Sequence, residues 1–173
     1  TPGLRPRALM KRVYESAVSY ARTFSTASES LLFMGATGLG KTLLSGCIAR
    51  AVADRGYSVC YVSAGKLFSD FETEKFRLKE DGALTGEYME TDLLIIDDLG
   101  TEMTTQFTVS ALYQVVNGRL LSGRPTIVST NLPDSELEAR YSAQIASRLL
   151  GAYTLYQFCG TDVRLLKKME SGR

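Results

Sequence analysis

The chain has 173 residues, 45% apolar and 23% charged, with a formal net charge of +1. That balance describes an ordinary folded domain and excludes a disordered or uniformly basic chain, so any nucleic-acid surface has to be a local patch. Histidine is absent and there is no CxxC pair, which excludes a histidine general base and the usual zinc sites, and no apolar run reaches the roughly 20 residues that cross a bilayer.

In chain order, Pro6 to Phe24 is predicted to be a helix, with Leu9, Val13, Ala17, Val18 and Ala21 on its apolar face. Residues 25–30 are a polar connector, and Ser30 to Met34 is a short buried strand. A glycine-rich turn leads into a helix from Lys41 to about Arg55, whose Leu44, Cys47, Ile48, Ala51 and Val52 form one face before Gly56 ends it. Ser58 to Ser63 is a second strand, Ala64 to about Leu78 a helix, and Lys79 to Gly86 a polar loop. Leu93 to Ile96 is apolar throughout, as in a parallel sheet covered on both faces. Thr105 to Leu121 is helical, with Val109, Leu112, Tyr113, Val116 and Leu120 on one face. Pro125 to Thr130 is a fourth strand, Ser135 to Leu150 is mostly helical, and Tyr153 to Phe158 is a fifth strand. Strands alternating with helices indicate an α/β fold with a parallel sheet. No repeat or linker divides the chain, so one domain is expected: an N-terminal strap and helix (1–29), a nucleotide-binding core (30–164) and a charged tail (165–173). Cys47, Cys60 and Cys159 sit in apolar contexts and read as buried free thiols in a reducing cytoplasm. Thr1 to Arg7 is basic but lacks the apolar segment of a signal peptide.

Gly35-Ala36-Thr37-Gly38-Leu39-Gly40-Lys41-Thr42 matches the phosphate-binding pattern G-x-x-x-x-G-K-[ST], between a strand and a helix as that motif requires. The glycines let backbone N–H groups turn inward around phosphate oxygens, and the helix N-terminus adds partial positive charge. Lys41 can reach the β- and γ-phosphates of ATP, and the Thr42 hydroxyl can ligate Mg²⁺. Leu93-Leu94-Ile95-Ile96-Asp97-Asp98 delivers two acids to the C-terminal end of a buried strand, where open α/β sheets bind ligands. Asp97 is assigned to Mg²⁺ and Asp98 to the attacking water, the alternative being two acids that begin a solvated turn. Asn131 closes the strand Ile127-Val128-Ser129-Thr130-Asn131 and either positions that water or starts a plain turn. Arg148 and Arg164 read from spacing alone as surface charges.

Together these residues resemble the ATPase of bacterial DnaC/DnaI-type replicative helicase loaders, a branch of the AAA+ proteins. The likeness rests on Gly35 to Thr42 followed by Leu43-Leu44-Ser45, Asp97-Asp98-Leu99-Gly100 with Glu102 behind, Ser129 to Leu132, and the Ile145 to Leu149 box. It implies a three-layer α/β/α P-loop NTPase with a five-stranded parallel sheet in the order 5-1-4-3-2 and a reduced or absent C-terminal lid. It implies ATP/ADP and Mg²⁺ as cofactors, with Leu43 beside the nucleotide. Arg148 becomes an arginine finger acting on a neighbouring subunit, and Arg164 a sensor of the γ-phosphate. The implied partners are the replicative helicase, through an N-terminal domain this sequence does not show, single-stranded DNA, and further copies in an ATP-dependent spiral. In related proteins the region between the second and third strands lines the DNA path; here it carries Lys66, Lys75, Arg77 and Lys79 with Phe68, Phe71 and Phe76, against the plain alternative of an amphipathic helix. Three other readings stay open. An IstB-type transposition helper shares the core, a nucleoside kinase would need a lid and acceptor pocket, and a slow nucleotide-dependent scaffold is suggested by Asp98 where most AAA+ proteins have Glu.

Overall fold

In the computed structural model, which describes residues 6–76 and 83–162, strands and helices alternate as the patterning requires. Helix α1 (Pro6–Thr23) leads to β1 (Leu31–Met34) and α2 (Lys41–Ala53). Strand β2 (Val59–Ser63) is followed by α3 (Ala64–Phe76) and α4 (Ala83–Glu90), and β3 (Leu93–Leu99) by α5 (Gln106–Leu121). Strand β4 (Thr126–Thr130) is followed by α6 (Asp134–Tyr141), α7 (Ala143–Ala152) and β5 (Thr154–Gln157). The sheet runs β2-β3-β4-β1-β5 with parallel pairing throughout, which is the expected 5-1-4-3-2 order read from the other edge. Among the described residues no helix follows β5, and none is long and apolar enough to cross a membrane.

The strands are apolar at nearly every position because both faces are covered. Leu31, Phe33, Leu93, Ile95 and Ile127 pack with Val13, Ala17 and Phe24 of the N-terminal segment and with Ile48 and Val52 of α2. The alternate positions Leu32, Met34, Leu94, Ile96 and Val128 pack with α3, α5, α6 and α7. A period of two inside an unbroken apolar run therefore sorts side chains into two cores, one on each side of the sheet.

Two sequence expectations are corrected, those for the loop over Lys79 to Gly86 and for the cysteines. The polar loop over Lys79 to Gly86 gives way to α4 from Ala83, with residues 77–82 outside the described region. Helix α4 is held from a distance: the Tyr88 hydroxyl donates to Asp70 of α3, the rings of Phe71 and Tyr88 stack 6.4 Å apart, and the Thr85 N–H donates to Glu74 at 3.0 Å. Burial alone would raise the Asp70 carboxyl, but hydrogen bonds from Lys66 and Tyr88 outweigh it and hold it below the ordinary carboxylate range. In α5 the expected face of Val109, Leu112, Tyr113, Val116 and Leu120 packs into one core, and Thr108, Ala111, Val115 and Arg119 are buried as well. The three cysteines are free, but Cys47 is exposed and Cys60 and Cys159 are half-buried, because Cys47 lies on the outward side of α2.

Arg119 is 0% exposed, and its hydrogen-bond partners among the described residues are carbonyls and a hydroxyl. Its guanidinium donates to the carbonyls of Tyr88 (2.9 Å), Thr91 (3.0 Å) and Pro125 (2.6 Å) and to the Thr126 hydroxyl (2.8 Å). Burial pushes its pKa down to about 10, so it stays charged at neutral pH. It pins the end of α4 to the start of β4. Arg119→Leu removes a donor from each of those groups, and the Pro125 carbonyl keeps the Leu94 N–H at 3.3 Å. At about 1–3 kcal/mol per buried group left unpaired, the expected loss of stability is about 3–5 kcal/mol, read as a lowered urea midpoint. A wild-type midpoint would show that the guanidinium does not carry this joint.

Candidate nucleotide site

The loop from Gly35 to Thr42 joins β1 to α2 at the C-terminal edge of the sheet. All three of its glycines take positive φ, and two of them show why. Gly35 has φ +147°, and a β-carbon there would meet the Phe158 carbonyl; Gly40, with φ +92°, turns the chain into α2. The N-cap of α2 is Gly40, which has no side chain to bond the first N–H groups of the helix, the groups that in such a loop receive an anion. Lys41 is buried, and its Nζ donates to the carbonyls of Gly35 (2.5 Å) and Ala36 (2.9 Å). The lysine is folded back over the loop it serves. Thr42 and Leu43 are exposed beside it, whereas Leu39 packs into the core with α1 and α2. The carboxylate of Asp162 lies against Gly38.

Strand β3 brings the acids alongside. Its register against β4 slips between Ile96 and Leu99, so that Asp97 and Asp98 stand opposite the single residue Ser129. Asp98 takes φ +56°, an uncommon conformation for a residue with a side chain, and is exposed. The Ser129 hydroxyl joins the two acids. It donates to Asp97 Oδ1 and accepts the Asp98 N–H at 2.9 Å. The other Asp97 oxygen accepts from the Tyr61 hydroxyl at 2.8 Å. Burial and the bond to Asp97 raise the Tyr61 phenol well above its ordinary range, so it remains a donor. The structure thus gathers Lys41, Thr42, Asp97 and Asp98 at one edge of the sheet. Asn131 joins them, exposed in a cleft of about 270 Å³ that it shares with Gly35, Ala36 and Gln157.

Tyr61, Ser129, Arg140 and Tyr141 received no role from the sequence. Tyr61 and Ser129 lie on the strands flanking β3, and only the register shows that they meet its acids. Arg140 and Tyr141, at the end of α6, clamp the loop after the acids. Arg140 donates to the carbonyls of Gly100 (2.5 Å) and Glu102 (3.0 Å), and the Tyr141 hydroxyl donates to the Glu102 carboxylate. That carboxylate in turn accepts the Gly100 N–H at 3.0 Å.

Arg148 is half-buried on α7. It donates to Asn117 Oδ1 (2.8 Å), the Tyr113 hydroxyl (3.1 Å) and the Gln144 carbonyl (3.1 Å), with its guanidinium 4.8 Å from the Tyr113 ring centre. In the expected DNA-facing region the aromatic part is corrected: Phe68 and Phe71 are buried core residues, so they are not offered to bases. Lys66 pairs with Asp70, and Lys75 lies 5.0 Å from the Phe107 ring centre. Arg77, Lys79 and Arg164 lie outside the described residues.

The donor set around Thr42 and Asp97 is all oxygen, and among the described residues no cluster of three or more acidic or thiol side chains surrounds it. Mg²⁺ commonly takes one or two carboxylates and completes its shell from phosphate and water, so these residues fit that ion when it arrives with a nucleotide.

A glycine-rich phosphate loop after the strand between β4 and β5, with acids ending β3 two strands away, defines a P-loop ATP-binding domain of the AAA+ fold. The chain belongs to the IstB-like ATP-binding protein family, whose pattern matches residues 9–159. It is 30% identical over 105 residues to an ATP-binding protein in an insertion sequence of Mycobacterium tuberculosis, covering 61% of this chain and 41% of that one. It is 27% identical over 135 residues to the replicative helicase loader DnaC of Escherichia coli, covering 77% and 55%. The chain therefore spans about half the length of these relatives. Among solved structures, that of the DnaC helicase loader superposes with a TM-score of 0.80 at 18% identity, over 92% of this chain and 93% of the other, and shows the shared fold.

Proposed function

We propose that this domain hydrolyses ATP and serves as the motor core of a helicase loader, assisting placement of the replicative DNA helicase on single-stranded DNA. The observation that carries the hydrolytic reading is the Ser129 hydroxyl, which ties Asp97 and Asp98 together while leaving them in different settings. Asp97 is buried with both oxygens held, as suits a metal-side ligand, and Asp98 is exposed, as suits a base or orienting group for water. Thr42 and Asp97 would hold Mg²⁺, which would neutralise charge on the terminal phosphates. The chain's own groups do the rest: backbone N–H groups of Gly35 to Thr42 cradle phosphates, Lys41 leaves its carbonyl partners for phosphate oxygens, Leu43 lies beside the nucleotide, and Asn131 orients water from its cleft. Arg148 acts on a neighbouring copy's ATP, and Arg164 contacts the γ-phosphate. The nucleotide-binding core is residues 30–164, preceded by the segment 1–29. Lys66 and Lys75 meet the DNA backbone only by leaving Asp70 and Phe107.

The loader role is supported by the DnaC likeness over 77% of this chain. The second reading, an ATPase that helps transposition, is supported by the family match and by the insertion-sequence relative. Helicase delivery onto a single strand separates the two: a loader raises helicase occupancy in an ATP-dependent way, and a transposition helper leaves it unchanged.

The hydrolytic assignment has its own test. Asp98→Asn is expected to keep ATP and Mg²⁺ while losing hydrolysis, and Asp97→Asn to weaken the Mg²⁺-dependent part of binding. Nucleotide titrations with and without Mg²⁺, alongside phosphate release, measure both. Two variants hydrolysing at the wild-type rate would overturn the assignment.

A further inference from the structure

We propose that Tyr61 is a positioning residue of the metal side of this site, a role that rests on the ATPase reading. Its hydroxyl touches both segments that supply metal ligands, donating to Asp97 Oδ2 at 2.8 Å and standing 3.5 Å from the Thr42 carbonyl. A phenol has one proton, and the shorter contact takes it, so the Asp97 carboxylate receives one hydroxyl donor from β2 and one from Ser129 on β4. These are the two strands that flank β3, so the carboxylate is braced from both sides of its own strand. A carboxylate held at both oxygens cannot rotate, yet each oxygen keeps a lone pair for a metal-bound water. Partners that orient a metal ligand in this way are worth roughly 10–100-fold in metal affinity.

The fold does not require the hydroxyl. Tyr61 is 40% exposed on β2, which is an edge strand, and any aromatic or branched side chain would suit that position. Phenylalanine keeps the ring and removes only the group that reaches Asp97.

The test is Tyr61→Phe in the whole chain, with Mg²⁺ titrated against a fixed concentration of a fluorescent ATP analogue and an EDTA baseline. The half-saturating Mg²⁺ concentration is expected to rise about 10-fold or more. Affinity for the analogue in EDTA and the melting temperature without ligand are expected to stay at wild-type values. An unchanged Mg²⁺ requirement, with Asp97→Asn raising it in the same assay, would overturn the role of Tyr61 and leave the ATPase reading intact. A fall in melting temperature together with a loss of metal-free affinity would also overturn it, since the hydroxyl would then be a brace of the fold. An Asp97→Asn variant with a wild-type Mg²⁺ requirement would remove the underlying metal assignment itself.

Discussion

Lys41→Ala is expected to abolish tight ATP binding. In the folded domain the ammonium is buried and donates to Gly35 and Ala36 carbonyls at 2.5 and 2.9 Å. A terminal phosphate offers anionic acceptors in place of those neutral ones. Hydrogen bonds to charged groups are worth roughly 1.5–3 kcal/mol each, so losing two of them lowers affinity by about 10²–10⁴-fold. The same contacts make the lysine a brace of the loop itself, so affinity has to be measured beside the melting temperature without nucleotide. A variant that melts normally and fails to bind shows that Lys41 acts on phosphate. Wild-type affinity would refute the phosphate-loop assignment.

Arg148→Ala is expected to bind ATP as a monomer and to lose roughly 10³–10⁵ in hydrolysis rate once assembled, the range an arginine finger supplies. Mixing it with Lys41→Ala should restore part of the activity, because one interface in the mixture joins an intact loop to an intact finger. Sedimentation with ATP and single-stranded DNA has to confirm association first. The contacts in the monomer sharpen this test. Tyr113, Asn117 and the Gln144 carbonyl hold the guanidinium on its own subunit between α5 and α7. If that is its whole role, Arg148→Ala hydrolyses ATP at the assembled wild-type rate and shows only a lower melting temperature. Absence of rescue in an associated mixture would count against action in trans.

Much of the fold and half of the site could be read from the residues alone. The phosphate loop announces itself because backbone turns and a helix start admit few residue types, and the acids of β3 stand out after four apolar positions. Short-range chemistry of that kind leaves a mark in consecutive letters. Helix α4 leaves none: it is held by Asp70, Glu74 and Arg119, which are distant in sequence. Helix α5 buries more than the one face its sequence shows, because it packs against α3, α4 and α7 as well as the sheet. Tyr61 passed unnoticed because a tyrosine in a strand is ordinary, and its meaning comes from register: Ser63 pairs with Asp97, which sets Tyr61 within reach of the acid. Helix periodicity likewise could not show that α6 and α7 are separate, since the break rests on Ser142 at φ +90°.

The place of β1 in the sheet bears on how the protein is made. Its partners are β4, through Leu31 opposite Ile127, and β5, through Leu31 opposite Thr154. Ribosomes deliver the chain from the N-terminus at about 5–20 residues per second. A nascent chain that has emerged as far as Leu121 therefore already carries the phosphate loop and its strand, but neither of the strands that hold them. The first neighbouring strands available to pair are β2 and β3, which belong to the opposite edge. Nucleotide thus has no formed cradle to stabilise until synthesis has passed β5, so within this domain the phosphate loop is translated before, and enclosed only with, the strands that hold it.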